Sequence, residues 1–124
     1  MKIFDCFQYF DEDMILDLRL NILDRYVDHF IIVENLFMHS GKKKKKNFDI
    51  NKFKKFKKKI IYILVDKLPE GLYDINSFSE KEKTNRTIDN SLKIEHNQRN
   101  KILSGLEEAH NDDLILISDI DEIP

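Results

Sequence analysis

Two carboxylates, Asp119 and Asp121, stand one residue apart directly after the apolar run at 114–117. Carboxylate oxygens are ligands that Mg²⁺ and Mn²⁺ prefer, and one or two of them commonly hold such an ion together with substrate phosphates. A cation held in this way neutralises a diphosphate and stabilises the charge that develops on it as it leaves. If the backbone turns just past the strand, both side chains reach one ion, so the spacing predicts a metal site.

An acid follows each of the apolar runs that we predict to be strands: Asp5, Glu34, Asp66 and Asp119. The carboxyl ends of parallel strands share one rim of a sheet, and ligands bind there, at the point where the strand order reverses. The pattern therefore predicts that these acids lie around one crevice. The alternative is that they are simple turn formers at strand ends.

Gln98 and Arg99 continue the core-facing stripe of a helix predicted over residues 92–109 with polar groups where apolar ones are expected. This helix leads into the fourth strand and runs antiparallel to it, so its first turns come to the same rim. We expect the two side chains to face a phosphate, a ribose or the carboxylate pair. The alternative is that Arg99 forms a structural ion pair with Asp119 or Glu122.

The elements that must position these residues form an alternating pattern. Strands are predicted over 2–4, 30–33, 60–65 and 114–117, and helices near 13–27, 51–59 and 92–109. Runs that are apolar throughout indicate strands covered on both faces, which is typical of a parallel sheet in a three-layer α/β sandwich. Residues 67–91 are predicted to be a long polar loop, either functional or partly disordered.

The composition indicates one domain, since 124 residues can bury a single core. With 21 basic and 23 acidic side chains the formal net charge is −2, which does not favour nucleic acid or an anionic membrane as a partner. The lysine run at 42–46 is predicted to be a solvated loop, and Cys6 an inert core residue. No apolar run reaches the roughly 18 residues that span a bilayer, and no secretion signal begins the chain, so a cytoplasmic location is expected.

Phosphohydrolases of the haloacid dehalogenase kind also place Asp-x-Asp after a strand. In those enzymes the pattern lies near the start of the chain, and Thr or Val commonly stands two residues after the second aspartate, where this chain has Ile123. In this alternative Asp119 is a nucleophile that attacks a simple phosphate ester.

Ordered segments along nearly the whole chain resemble glycosyltransferase family 17. They are residues 2–7, 28–34 with 40–42, 98–100 with 105–106, and 112–124. That family includes the β-1,4-mannosyl-glycoprotein β-1,4-N-acetylglucosaminyltransferases, which have a GT-A-like fold and use a UDP sugar. The resemblance implies a Rossmann-like half of a GT-A-type nucleotide-sugar fold with a mostly parallel sheet. It also implies Mn²⁺- or Mg²⁺-dependent transfer from a UDP-sugar donor to a glycan or glycoprotein acceptor.

The resemblance also assigns roles to residues. Asp119 and Asp121 correspond to the acidic motif that meets the metal and the sugar nucleotide, Glu34 to an acid near the uracil or ribose, and Gln98 with Arg99 to groups that face the nucleotide or the acidic motif.

Family members continue past the Asp-x-Asp segment with strands and helices that supply the acceptor site, the remaining metal ligand and any base. The resemblance therefore predicts a domain that is incomplete at its C-terminus, and it assigns no catalytic residue. The alternative is a non-catalytic nucleotide-sugar-binding half-domain that needs a partner chain or self-associates through an open sheet edge.

Overall fold

The computed structural model describes residues 1–124 as one α/β unit built on a single sheet. Its strands are β1 (Ile3–Tyr9), β2 (His29–Asn35), β3 (Ile60–Val65) and β4 (Leu114–Ile117). All neighbouring pairs are parallel, and the order across the sheet is β3-β2-β1-β4. The chain therefore builds outward from β1 to β3 and then returns to the other side of β1. The strand order reverses between β1 and β4, and the predicted α/β class with a parallel sheet is confirmed.

Helical segments cover the two faces of this sheet. Helix α1 (Asp13–Leu23) and the 3-10 helix Ile50–Phe56 pack on one face; helix α2 (Glu80–Asn100) and the 3-10 helix Lys101–Gly105 pack on the other. Because side chains alternate along a strand, Phe7 and Phe30 enter the core under α1, whereas Cys6 and Ile31 enter the core under α2. Neither long helix has the length and apolar character needed to cross a membrane.

Strand β1 extends well beyond its predicted end at Phe4, so the expectation that Asp5 ends a strand is wrong. Asp5 lies within β1 and is fully buried. It stays in the strand because Arg19 of α1 neutralises it with two hydrogen bonds. The neighbouring Cys6 is also fully buried, and burial raises the pKa of its thiol to about 12. Its side chain is therefore a protonated core group, as predicted.

Helix α2 begins and ends earlier than predicted. The polar loop expected over 67–91 is a loop only as far as Ser79, because residues 80–91 form the first turns of α2. These turns carry no apolar stripe and are stabilised by pairs such as Lys83 with Glu80. After Asn100 the backbone tightens into the 3-10 helix, whose Gly105 passes so close to Ile31 and Ile63 that a Cβ would lie 3.0 Å from their side chains.

Strand β4 is less covered than its apolar sequence predicts. Leu114 and Ile117 are 44% and 56% exposed, although β2 is buried along nearly its whole length. The difference has a simple cause, since β4 is an edge strand that pairs only with β1. The expectation that every strand is covered on both faces is therefore wrong for β4, and also for the other edge strand, β3, where Leu64 is 37% exposed.

Candidate functional site

A cleft of about 810 Å³ opens at the carboxyl ends of β1, β2 and β4. The end of β1 contributes Gln8, Tyr9 and Phe10, the end of β2 contributes Asn35, and α2 contributes Glu95 and Gln98. The segment after β4 completes the wall with Asp119, Ile120 and Asp121. The cleft thus lies at the reversal of strand order, which is where open parallel sheets bind their ligands.

Residues 119–122 form a tight turn, here called the acid turn, on the side of the cleft that follows β4. The backbone N–H of Glu122 donates to the carbonyl of Asp119 at 2.9 Å, and the N–H of Asp119 donates to the Glu122 carboxylate at 3.0 Å. The carboxylates of Asp119 and Asp121 are exposed, and no protein group donates to them or forms an ion pair with them. Both side chains are therefore free to bind a ligand from the cleft.

Arg19 contacts the backbone of the acid turn from the interior of the protein. Its guanidinium is fully buried and forms a two-point ion pair with Asp5, with N···O distances of 2.6 and 2.8 Å. It also donates to the carbonyl oxygens of Asp119 at 2.6 Å and Ile120 at 3.1 Å, and to Oγ of Ser118 at 2.7 Å. One buried side chain therefore joins the middle of β1 to the turn that carries the free carboxylates.

Two buried amides line the other side of the cleft. Asn35 is 4% exposed and Gln98 is 6% exposed. Oδ1 of Asn35 accepts from the N–H of Phe37 at 2.9 Å, and Nε2 of Gln98 donates to the carbonyl of Val33 at 3.1 Å. These partners fix both amide orientations, because an N–H only donates and a carbonyl only accepts. Nδ2 of Asn35 and Oε1 of Gln98 keep no protein partner, yet neither is sealed from solvent. These two amides therefore offer the cleft one free donor and one free acceptor.

The apolar part of the cleft consists of Tyr9, Phe10, Ile15, Phe37, Met38 and Ile120. The ring of Phe10 is 40% exposed, and the ammonium of Lys44 lies 5.0 Å from its centre. Burial raises the pKa of the Tyr9 phenol, and its hydrogen bond to Asp13 raises it further, so that hydroxyl remains a donor. Flat rings bind well against such a surface.

The sequence model of glycosyltransferase family 17 matches residues 1–124, which is the whole chain. The chain belongs to glycosyltransferase family 17. No curated protein and no solved structure gives a significant match. Family 17 membership supports a glycosyltransferase role and favours it over the phosphohydrolase alternative.

In this family 17 chain, Glu34 lies at the carboxyl end of β2 but does not line the cleft. It is fully buried on the α1 side of the sheet and accepts from Nζ of Lys44, the hydroxyl of Tyr62, and the N–H groups of Asn47 and Phe48. Burial alone would raise the pKa of Glu34, but these hydrogen bonds outweigh it and lower the pKa. Both carboxylate oxygens of Glu34 accept hydrogen bonds from the protein, so its surroundings are those of a structural residue.

Asp66 and Arg99 also lie apart from the cleft walls. Asp66 is exposed just after β3, on the far edge of the sheet from the acid turn. Arg99 is exposed and pairs with Glu95 at 3.3 Å instead of with Asp119 or Glu122. It does line a smaller neighbouring pocket of about 250 Å³ that shares Asp119 with the main cleft. Of the predicted nucleotide-binding residues, the structure therefore brings together Gln98 and Asp119, with Arg99 at the margin.

The acid turn offers two carboxylates as ligands to the metal that the family resemblance implies. No group of three or more His, Cys, Asp or Glu side chains is arranged to hold an ion by itself. Mg²⁺ usually keeps several waters and is bound by one or two carboxylates plus substrate phosphates. The free carboxylates of Asp119 and Asp121 fit this second arrangement, in which protein and diphosphate share the ion.

Three features of the site were not predicted from the sequence. Arg19 could have been found, because it stands three residues after Leu16 on the same stripe as Leu20, where an apolar residue is expected. The part of the cleft around Tyr9 was missed because β1 was predicted to end before it. Asn35 gave no separate signal, since it follows Glu34 as one more polar residue after a strand.

Proposed function

We propose that this chain is the nucleotide-sugar-binding half of a metal-dependent glycosyltransferase that takes a UDP sugar, of the N-acetylglucosamine type, and serves transfer to a glycan or glycoprotein acceptor. The observation that carries the proposal is the pair of carboxylates without protein partners on the acid turn, in a cleft at the reversal of strand order. Family membership supports the transferase class.

Asp119 and Asp121 are proposed to hold Mn²⁺ or Mg²⁺ against the diphosphate. When bound, the ion neutralises the diphosphate as the bond to the sugar breaks. The side chains of the acid turn carry only negative charge, so they would repel a free diphosphate without the ion. Binding of the nucleotide is therefore expected to depend on the metal.

The nucleobase is proposed to lie over β1 and β2. Two strand spacings separate β2 from β4, about 10 Å, which matches the reach from a diphosphate to its base. The free donor on Asn35 and the free acceptor on Gln98 complement the adjacent carbonyl and N–H groups of a uracil ring. The exposed ring of Phe10 and the neighbouring Met38 provide a surface for stacking.

Calorimetric titration of UDP and UDP-N-acetylglucosamine, with and without Mn²⁺, tests the proposal. We expect binding with Mn²⁺ and a loss of affinity of about tenfold or more without it, or in Asp121→Asn, because a metal ligand is removed. Asp112→Asn is the matched control, since Asp112 is an exposed carboxylate outside the cleft. Equal affinity with and without Mn²⁺, unchanged in Asp121→Asn, would contradict the proposal.

A second candidate function is a nucleotide-sugar-binding chain that turns nothing over by itself and works with a partner chain or a second copy. The exposed edge strand β4, with Leu114 and Ile117 largely uncovered, favours it. The discriminating measurement is release of UDP from the donor at saturating Mn²⁺, together with the mass of the chain in solution. Binding without turnover by an associated species supports this second function, and turnover by the monomer excludes it.

A further inference from the structure

Arg19 uses its whole guanidinium inside the protein. It has five N–H donors in a fixed plane, and they are directed at Asp5, at Ser118 and at the backbone of the acid turn. The carbonyl of Glu122 lies a further 3.4 Å from Nη1. No other side chain in the protein forms as many hydrogen bonds with the backbone of the acid turn.

A buried ion pair of this kind contributes little to stability compared with apolar residues of similar volume, because both charges lose their water. At position 19 the stripe of α1 already consists of leucines, so another leucine would continue the core. Stability therefore does not account for an arginine here, whereas its contacts with the acid turn do.

The contacts also set the direction of the peptide groups. The carbonyls of Asp119 and Ile120 point at Arg19, and in a planar trans peptide the N–H points the opposite way. The N–H groups of Ile120 and Asp121 are therefore directed away from Arg19, and neither has a backbone acceptor. Successive N–H groups of this kind bind anions. Arg19 thus orients both the carboxylates and two backbone donors of the turn.

We infer that Arg19 is a positioning residue, which holds the acid turn in the geometry that receives the cation and the diphosphate. The inference rests on the proposed function for its ligand. Asp5 fixes the plane of the guanidinium from β1, and Ser118, just before the acid turn, accepts a further hydrogen bond from Nη2. Arg19 does not touch the ligand and acts through Asp119 and Asp121.

The test compares three variants by calorimetric titration of Mn²⁺ with UDP at a temperature where urea unfolding shows each to be folded. Arg19→Lys keeps the charge but cannot reach all the acceptors, so we expect affinity to fall about 10–100-fold, as for residues that orient metal ligands. Ser118→Ala leaves the pair between Arg19 and Asp5 intact and should weaken binding by a smaller factor. Arg25→Lys is the matched control, because Arg25 is exposed just beyond α1, and should bind as the parent does.

A role confined to stability makes a different prediction. If Arg19 serves stability alone, Arg19→Lys lowers the free energy of unfolding but leaves the affinity of the folded protein unchanged. That result overturns the inference. If Arg19→Lys does not fold, Ser118→Ala decides in the same way. In the double variant Arg19→Lys with Asp121→Asn, affinity should fall by less than the product of the two single-variant factors, because the arginine acts in part through that carboxylate.

Hydrogen exchange of the ligand-free protein separates this inference from the proposed function. The N–H of Glu122 bonds to the carbonyl of Asp119, which Arg19 also holds. We expect faster exchange of that N–H in Arg19→Lys and Ser118→Ala, with the N–H of Ile32 in β2 unchanged. If the parent does not bind Mn²⁺ with UDP, the proposed function fails, and faster exchange at Glu122 still supports the positioning role. Unchanged exchange in both variants overturns it.

Discussion

Two carboxylates on the strands, Asp5 and Glu34, and two on the acid turn have opposite environments. Asp5 and Glu34 are fully buried, and each of their oxygens accepts a hydrogen bond from the protein. Asp119 and Asp121 are exposed, and theirs accept none. The position of an acid relative to a strand is therefore insufficient to assign its role. What decides is whether neighbouring segments supply donors: where they do, the acid is structural, and where they do not, it is available to a ligand.

The largest effect should come from Asp5→Asn. It leaves the buried guanidinium of Arg19 without its counter-charge, so we expect the free energy of unfolding to fall by about 3–5 kcal/mol. Urea denaturation measures this loss. Asp121→Asn is the control and should change stability by less than about 0.5 kcal/mol, since the side chain is exposed and unpaired. Comparable losses in the two variants would contradict the division between buried and free acids.

Glu34→Gln should rank second. The amide cannot accept from all the donors that surround Glu34, and the ammonium of Lys44 loses its partner, so we expect a loss of about 2–3 kcal/mol. The cost is smaller than at Asp5 because Lys44 is 9% exposed and keeps the carbonyl of Lys45 as an acceptor, whereas Arg19 is fully buried. Thermal and urea unfolding measure it, with Glu70→Gln as an exposed control. A loss equal to that of the control would show that Glu34 is free for a ligand after all.

The pH dependence of stability should distinguish Glu34 further. Its pKa is lower in the folded protein than in the unfolded chain, so its contribution is complete above the unfolded value and is lost as pH falls through the folded value. The stability difference between the parent and Glu34→Gln should therefore shrink as pH is lowered from about 7 to about 3. Urea midpoints across this range measure it. A difference that stays constant would show that the Glu34 pKa is not lowered.

The smallest effect is expected at Asp66, the acid after β3. Because Asp66 is exposed and lies outside the cleft, Asp66→Asn should change stability by less than about 0.5 kcal/mol and leave the affinity for Mn²⁺ with UDP unchanged. The same calorimetric titration measures it. Weakened binding in this variant would show that Asp66 takes part in nucleotide binding and that the cleft extends to the carboxyl end of β3.

The sequence predicts those elements whose signal is local. The continuous apolar runs gave the bounds of β3 and β4 as observed, and the Asp-x-Asp spacing after β4 located the acid turn at the cleft. Strand β1 was predicted too short because a charged Asp5 interrupts it, and the arginine that neutralises Asp5 lies on another element. Pattern analysis within a short window does not contain that pairing.

Helix α2 and Glu34 show the same limit of prediction from local sequence patterns. The first turns of α2 lack an apolar stripe, so periodicity gave no helix there, although pairs such as Lys83 with Glu80 stabilise it. Three of the four donors to Glu34 come from Lys44, Asn47 and Phe48 in the connection after β2. Their convergence depends on how that connection folds back, which the sequence of the strand alone does not specify.

The contacts between Arg19 and the acid turn also affect which register of β4 against β1 the chain adopts when it refolds. Strand β4 has four residues and one neighbour, a pairing short enough to slip along β1 by two residues and still present the same side chains to each face. In a slipped alignment the carbonyls of Asp119 and Ile120 would miss the guanidinium, and a buried charge would lack acceptors. Arg19 therefore penalises misregistered chains and selects the one alignment that brings the acids to the cleft.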